Sequence, residues 1–308
     1  MKATSRTPMG PFAWTVVSAG LALLPAMAST ATTFSIADTS AAIGLDGSGG
    51  RVEDGPAARP TSVNGHTRFE PPGLGYYVDS RMEASAGYGR LHARGTVQTA
   101  APYSAGMAGS LMGGDPLSVA GFEDQILIGG GGVAPHVFKV FYSLTGFAGQ
   151  IGSASMEFAA DLSLQAWGLG GVTITGSSAP PTGFSFSPPI DTYSVSVSGS
   201  SGRSFGESGW VEITATDGST LNLGGYLGAY LRLREPGDTH ALSTAALDIW
   251  NTGSFSIVPL SAGTTFTAVS GFNYLTPVPE PREYALFAGL GLVGFALWHR
   301  RAAKAANG

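Results

Sequence analysis

Residues 210–216 read Trp-Val-Glu-Ile-Thr-Ala-Thr, and Asp217-Gly218 follows at once. Val211, Ile213 and Ala215 fall on one side of an extended chain, with Glu212 and Thr214 on the other. A helix would scatter these residues around its circumference, whereas a strand, with its two-residue period, segregates them. Asp-Gly is a strong hairpin dipeptide, because glycine takes a positive φ at little cost. The stretch therefore predicts a strand that turns and leads on through Leu221-Asn222-Leu223.

The same pattern recurs on both sides. Residues 193–198 (YSVSVS) alternate most cleanly. Residues 137–144 (VFKVFYSL) place Phe138, Val140, Tyr142 and Leu144 on one face, with Lys139 and Ser143 on the other. Residues 89–98 set Leu91 and Ala93 between Arg90, His92 and Arg94. Residues 122–128 end in a run of glycines at 129–132, and residues 230–234 stop at Pro236-Gly237. Further strands are expected at 245–250, 255–258 and 264–269, the last two joined by a turn at Ser261-Ala262-Gly263. No charged amphipathic helix of ordinary length lies among them. Short strands separated by glycine turns predict an all-β ectodomain over residues 81–276, a jelly-roll-like β-sandwich. Residues 29–80 are weakly patterned and broken at 46–50 (DGSGG), 53–56 (EDGP) and 71–73 (PPG). They predict a weakly structured lead-in with one early strand near 33–37.

Composition narrows the class. The chain has 308 residues, 46 glycines, no cysteine and 12% charged residues. The missing cysteine excludes disulfides, a thiolate nucleophile, a cysteine zinc site and a lipid-bearing amino-terminal cysteine. Residues 29–278 carry 19 acidic and 10 basic side chains, a net of −9, with no basic cluster. Nucleic-acid binding therefore lacks its electrostatic footprint.

The remaining basic residues sit at the two ends. Lys2 and Arg6 precede an apolar run that Pro25 breaks, and Ala26-Met27-Ala28 follows. That order is a secretory signal over residues 1–28, with Ala26 and Ala28 read by signal peptidase and cleavage after Ala28. Its partners would be the Sec export machinery and signal peptidase. Near the other end, residues 284–298 (YALFAGLGLVGFALW) hold no charge and predict a single C-terminal transmembrane helix. Fifteen helical residues span only about 22 Å, and Arg300, Arg301 and Lys304 form a basic stop able to snorkel to the interface. Positive charge marks the cytoplasmic side, so the main domain lies outside. The amino-terminal signal independently implies the same topology.

Just before that helix stands Val278-Pro279-Glu280-Pro281, held extended by its two prolines. This tripartite order, over residues 277–304, resembles the PEP-CTERM sorting signal of Gram-negative bacteria. The resemblance implies an exosortase as processing partner, transient anchoring in the inner membrane, and delivery to the cell envelope, outer surface or extracellular matrix. Such proteins usually occur in organisms that make extracellular polysaccharide. The Phe-x-Asp-x-Ile pattern at 122–126 and the closing segment 264–274 (TTFTAVSGFNY) are also similar to many PEP-CTERM ectodomains, which assigns no activity. Inside the helix, residues 289–294 match G-x-G-x-x-G. The dinucleotide fingerprint needs a preceding strand and an acidic residue about 20 positions on, and the sequence supplies neither.

No catalytic constellation stands out, and no cofactor or metal is implied. His66, His92, His136 and His240 lie far apart and are expected as surface residues of strands or loops. Asp46-Gly47-Ser48-Gly49-Gly50 lacks the later acidic ligands of a calcium loop. Glu123, Asp124, Glu157, Asp161 and Glu212 are strand-borne acids from which a glycosidase pair would have to come. Trp167, Trp210 and Trp250 are expected to fill the core, since only an exposed aromatic line would offer stacking faces to sugars. The leading expectation is a non-enzymatic structural or adhesive envelope protein in a polysaccharide matrix. A carbohydrate-binding module is the alternative, and a glycan-active hydrolase is a third.

Overall fold

A computed structural model describes residues 31–43, 46–70, 77–100, 111–113, 117–130, 135–152, 154–169, 171–178, 191–235 and 242–275. The predicted signal segment (1–28) and the sorting segment with its membrane helix (277–304) lie outside them. The described residues form strands only. In chain order these are β1 (Thr32–Ile43), β2 (Asp46–Ala57), β3 (Thr61–Phe69), β4 (Tyr77–Gly87) and β5 (Arg90–Ala100). Next come β6 (Leu111–Gly113), β7 (Leu117–Gly130), β8 (His136–Ile151), β9 (Ser155–Leu169) and β10 (Val172–Ser177). The last are β11 (Asp191–Gly199), β12 (Arg203–Ala215), β13 (Thr220–Glu235), β14 (Ser243–Pro259) and β15 (Thr264–Ala268).

The strands make two antiparallel sheets that share one buried core. The first runs β11-β9-β13-β6-β1-β7-β15, with β2 on the flank of β1 and β7 also paired to β13. The second runs β10-β12-β8-β14-β5-β4-β3. The all-β expectation holds. Alternation decides which side chains meet: Phe138, Val140, Tyr142 and Leu144 of β8 are all buried, as are Val211, Ile213 and Ala215 of β12. Aromatic pairs bridge the sheets, with Phe122 edge-on to Phe255 at 5.1 Å and Phe158 stacked on Phe205 at 5.9 Å.

The weakly structured lead-in is corrected, although the early strand expected near 33–37 is present within β1. Residues 32–69 form three strands, of which β1 and β2 pair with each other and β3 enters the opposite sheet. The inward positions of β1 are Thr33, Ser35, Ala37 and Thr39, all buried, while the apolar Phe34 and Ile36 face the other way. Hydropathy therefore points to the wrong face. The small inward residues bring β1 and β3 close: Ser35 and Thr61 hydroxyls lie 3.0 Å apart, and those of Thr39 and Thr67 2.6 Å apart.

The Asp217-Gly218 turn is also corrected. It does not close a hairpin, because β12 belongs to the second sheet and β13 to the first. Gly218 has φ 77°, and its N–H donates to the Ile128 carbonyl at 2.9 Å, so the turn crosses between sheets at the end of β7. Ser261-Ala262-Gly263 makes a second such crossing, from β14 to β15. A tight hairpin does occur between β4 and β5, where Gly87 pairs with Arg90 around Tyr88-Gly89.

Candidate functional site

Alternation along β7 turns Glu123 outward and Asp124 inward, where Asp124 is 2% exposed. A carboxylate between two apolar sheets needs donors, and the segment after β15 supplies them. The Ser270 N–H donates to Oδ1 at 3.1 Å, the Ser270 hydroxyl donates to Oδ2, and the Tyr274 hydroxyl donates to Oδ2 at 2.9 Å. Gln125 N–H adds a fourth bond to Oδ1 at 2.9 Å. Burial, then the adjacent Asp124 carboxylate, holds the Tyr274 phenol well above its ordinary pKa, so it stays a donor. The Ile257 N–H donates to the Tyr274 carbonyl at 2.9 Å, and Phe272 packs edge-on to Tyr274 at 4.8 Å. The Tyr274 ring also lies 6.4 Å from that of Phe122. The Phe-x-Asp pattern and the closing segment, far apart in sequence, are thus two halves of one clasp. It pins the last described residues, three positions before Val278.

The other acids are spread over both sheets. Glu123 accepts a hydrogen bond from the Tyr226 hydroxyl at 2.8 Å on the outer face of the first sheet. Burial, then Glu123 itself, raises the Tyr226 pKa well above the ordinary value. Asp161 lies on the same face, and burial alone pushes its carboxyl up to about 6. Glu123 pairs across to Gly224 and Asp161 to Gly228, on opposite sides of β13. Two strand spacings and a four-residue offset put their backbones roughly 16 Å apart. Glycosidase carboxyls stand about 5 to 9.5 Å apart. Glu157 is four residues from Asp161 on one strand and 3.7 Å from the Arg232 guanidinium. Glu212 lies on the outer face of the second sheet, 3.8 Å from the Lys139 ammonium. The structure brings none of these candidates together as a pair.

The histidines behave differently from one another. His66 is exposed and meets the Asp79 carboxylate at 3.0 Å. His92 is half-buried on β5, and His240 lies outside the described residues. His136 corrects the surface expectation, because it is fully buried at the start of β8. The Thr264 hydroxyl donates to the Ser261 carbonyl at 3.0 Å and so accepts from His136 Nδ1–H at 3.1 Å. This joins β8 to the crossing that precedes β15.

The tryptophans are a further correction. Trp167 and Trp210 are outward residues of β9 and β12 and are only half-buried, while the Trp250 side chain lies outside the description. Trp210 is held at the backbone by Ser178, whose hydroxyl accepts from Trp210 N–H at 2.9 Å. Lys139 Nζ sits 3.7 Å from the Trp210 ring centroid, and Phe141 pairs directly opposite on β8. The sorting residues Val278, Pro279, Glu280 and Pro281, the basic stop Arg300, Arg301 and Lys304, and the signal residues Ala26 and Ala28 all lie outside the described residues. No family model, no curated protein and no solved structure matches the chain.

Proposed function

We propose that this chain is an exported cell-envelope protein, sorted and processed by an exosortase through its VPEP, apolar-helix and Arg-Arg tag. Its ectodomain is a jelly-roll-like sandwich with a structural or adhesive role in an extracellular polysaccharide matrix. The reading starts from the two ends of the sequence, and the observation that supports it is the Asp124 clasp. A sorting tag has to be presented outside a finished fold. Here a buried carboxylate takes three hydrogen bonds from Ser270 and Tyr274 and fastens the end of the sandwich just ahead of the tag. At most about 3.6 Å per residue, the six steps from Leu275 to Pro281 keep the tag within roughly 22 Å of the domain.

The experiment is replacement of Glu280, or of Arg300 and Arg301 together, in a host that carries the exosortase. Precursor should accumulate in the inner-membrane fraction while the wild-type chain leaves it. Equal distribution of variant and wild type between fractions would refute the sorting role. Sugar binding is kept as a second reading, because Trp210 and Phe141 face outward together.

A further inference from the structure

We infer that the outer face of the second sheet, along β8, β12 and β14, is a binding site for a neutral polysaccharide. This rests on that face alone and stands or falls separately from the sorting reading. Alternation along β8 turns Phe141 and Phe147 outward, and they remain 36% and 49% exposed. Trp210 stands opposite Phe141. Six residues at about 3.3 Å each separate the two aromatic stations by roughly 20 Å.

Among the described residues, the floor between them on β8 and β12 is made of small side chains. Ser143 faces Ser208 on one side and Ser254 on the other, with the Ser143 and Ser254 hydroxyls 2.8 Å apart. Thr145 faces Gly206. Phe147 lies over Gly149, where a Cβ would meet its ring, and still keeps about half of its surface in solvent. Tyr226 on the outer face of the first sheet gives the contrast. Tyr226 lies down against Gly121 and Gly224, is 3% exposed, and spends its hydroxyl on Glu123. Phe141 and Phe147 thus keep open faces that Tyr226 lacks, which marks them as available for contact.

The chemistry of the track selects the ligand. The C–H faces of a pyranose pack on aromatic rings. Serine and threonine hydroxyls, with Glu212 and Lys139, offer donors and acceptors to sugar hydroxyls. The spacing of the stations suits a chain and not a single sugar. Lys139 is held beside Glu212 at 3.8 Å and over the Trp210 ring, so it gives no net positive field. A domain with net charge −9 over residues 29–278 repels an anionic polymer. Serine, threonine and glycine at 143, 145, 206 and 208 separate the exposed apolar side chains of Phe141 and Phe147, whereas a protein interface has a contiguous, largely apolar core.

The test is affinity electrophoresis of the full chain, purified in detergent, through gels containing dextran, laminarin or galactomannan, with alginate as the anionic comparison. Retardation is expected with at least one neutral polymer and not with alginate. Trp210→Ala combined with Phe141→Ala should weaken that retardation at least tenfold, with near-UV circular dichroism and thermal unfolding showing the fold intact. Should that double variant fail to fold, Phe147→Ala on the exposed ring carries the test. It should weaken polymer binding several-fold while leaving thermal unfolding unchanged. The inference is overturned if folded wild-type chain runs unretarded in all three neutral gels, binds alginate alone, or binds equally well after these ring deletions.

Discussion

Along β8 and β14 the inward positions hold Phe138, Val140, Tyr142, Leu144, Phe255 and Ile257, all buried. Along β1 and β3 they hold Thr33, Ser35, Ala37 and Thr39 against Thr61, Val63 and Gly65, which are buried just as fully. One region excludes water with large apolar side chains. The other does so by close approach of small ones whose hydroxyls bond to each other. A Cβ added at Gly65 would meet Thr39 Cγ2 at 3.0 Å and Ala37 Cβ at 3.3 Å, so a larger residue there would have to push its neighbours apart. The comparison teaches that burial within one core is reached by two routes: removal of apolar area, and satisfaction of short polar groups at close range.

The largest effect should come from the first route. Phe138→Ala removes a fully buried ring that packs edge-on to Phe266 at 4.9 Å. It should cost about 3–5 kcal/mol in urea unfolding. A loss under about 1 kcal/mol would break the distinction between the regions.

The second prediction uses a half-buried carboxyl that has no compensating partner among the described residues. Burial raises the Asp161 carboxyl from 3.8 to about 6. The native state therefore holds this proton more tightly than the unfolded chain does. Its contribution favours folding below pH about 4 and is lost as pH rises through about 6. Asp161→Asn should gain roughly 2–3 kcal/mol at pH 8, with the gain shrinking toward pH 4. Urea titrations at both pH values check this, and a pH-independent difference would contradict it. Thr39 is the opposite case, a buried polar group that has its partner.

Gly65→Val tests the close approach. Forcing side-chain volume between β1 and β3 should cost about 1–3 kcal/mol, although valine favours strands everywhere else. Stabilisation would show that the sheets do not meet there as described. Thr39→Val is the mildest probe. It keeps shape but removes the bond to Thr67, and should cost about 1 kcal/mol by thermal unfolding.

The two regions also explain what could be read in advance. β8 was legible because its inward side chains are large, apolar and two apart. β1 was legible only as a short strand near 33–37 and its inward face was not, because Phe34 and Ile36 point away from the core while threonine and serine point into it. Trp210 misled for the same reason, as an apolar residue on an outer face. Asp217-Gly218 marks a turn in any sequence, but a dipeptide does not tell which sheet the next strand joins. His136 is buried because a crossing 125 or more residues later folds over it, as its Thr264 partner at a separation of 128 shows. The Asp124 clasp joins positions 150 residues apart. Its two halves were visible as patterns, and their contact was not.

The clasp links this core to the sorting reading, since it ends the sandwich immediately before the tag. The most direct measurement is intact mass of the chain recovered from hosts with and without an exosortase. The account predicts a shorter carboxyl terminus, cut at or near residues 278–281, only where the enzyme is present. An identical, uncut carboxyl terminus in both hosts would contradict it.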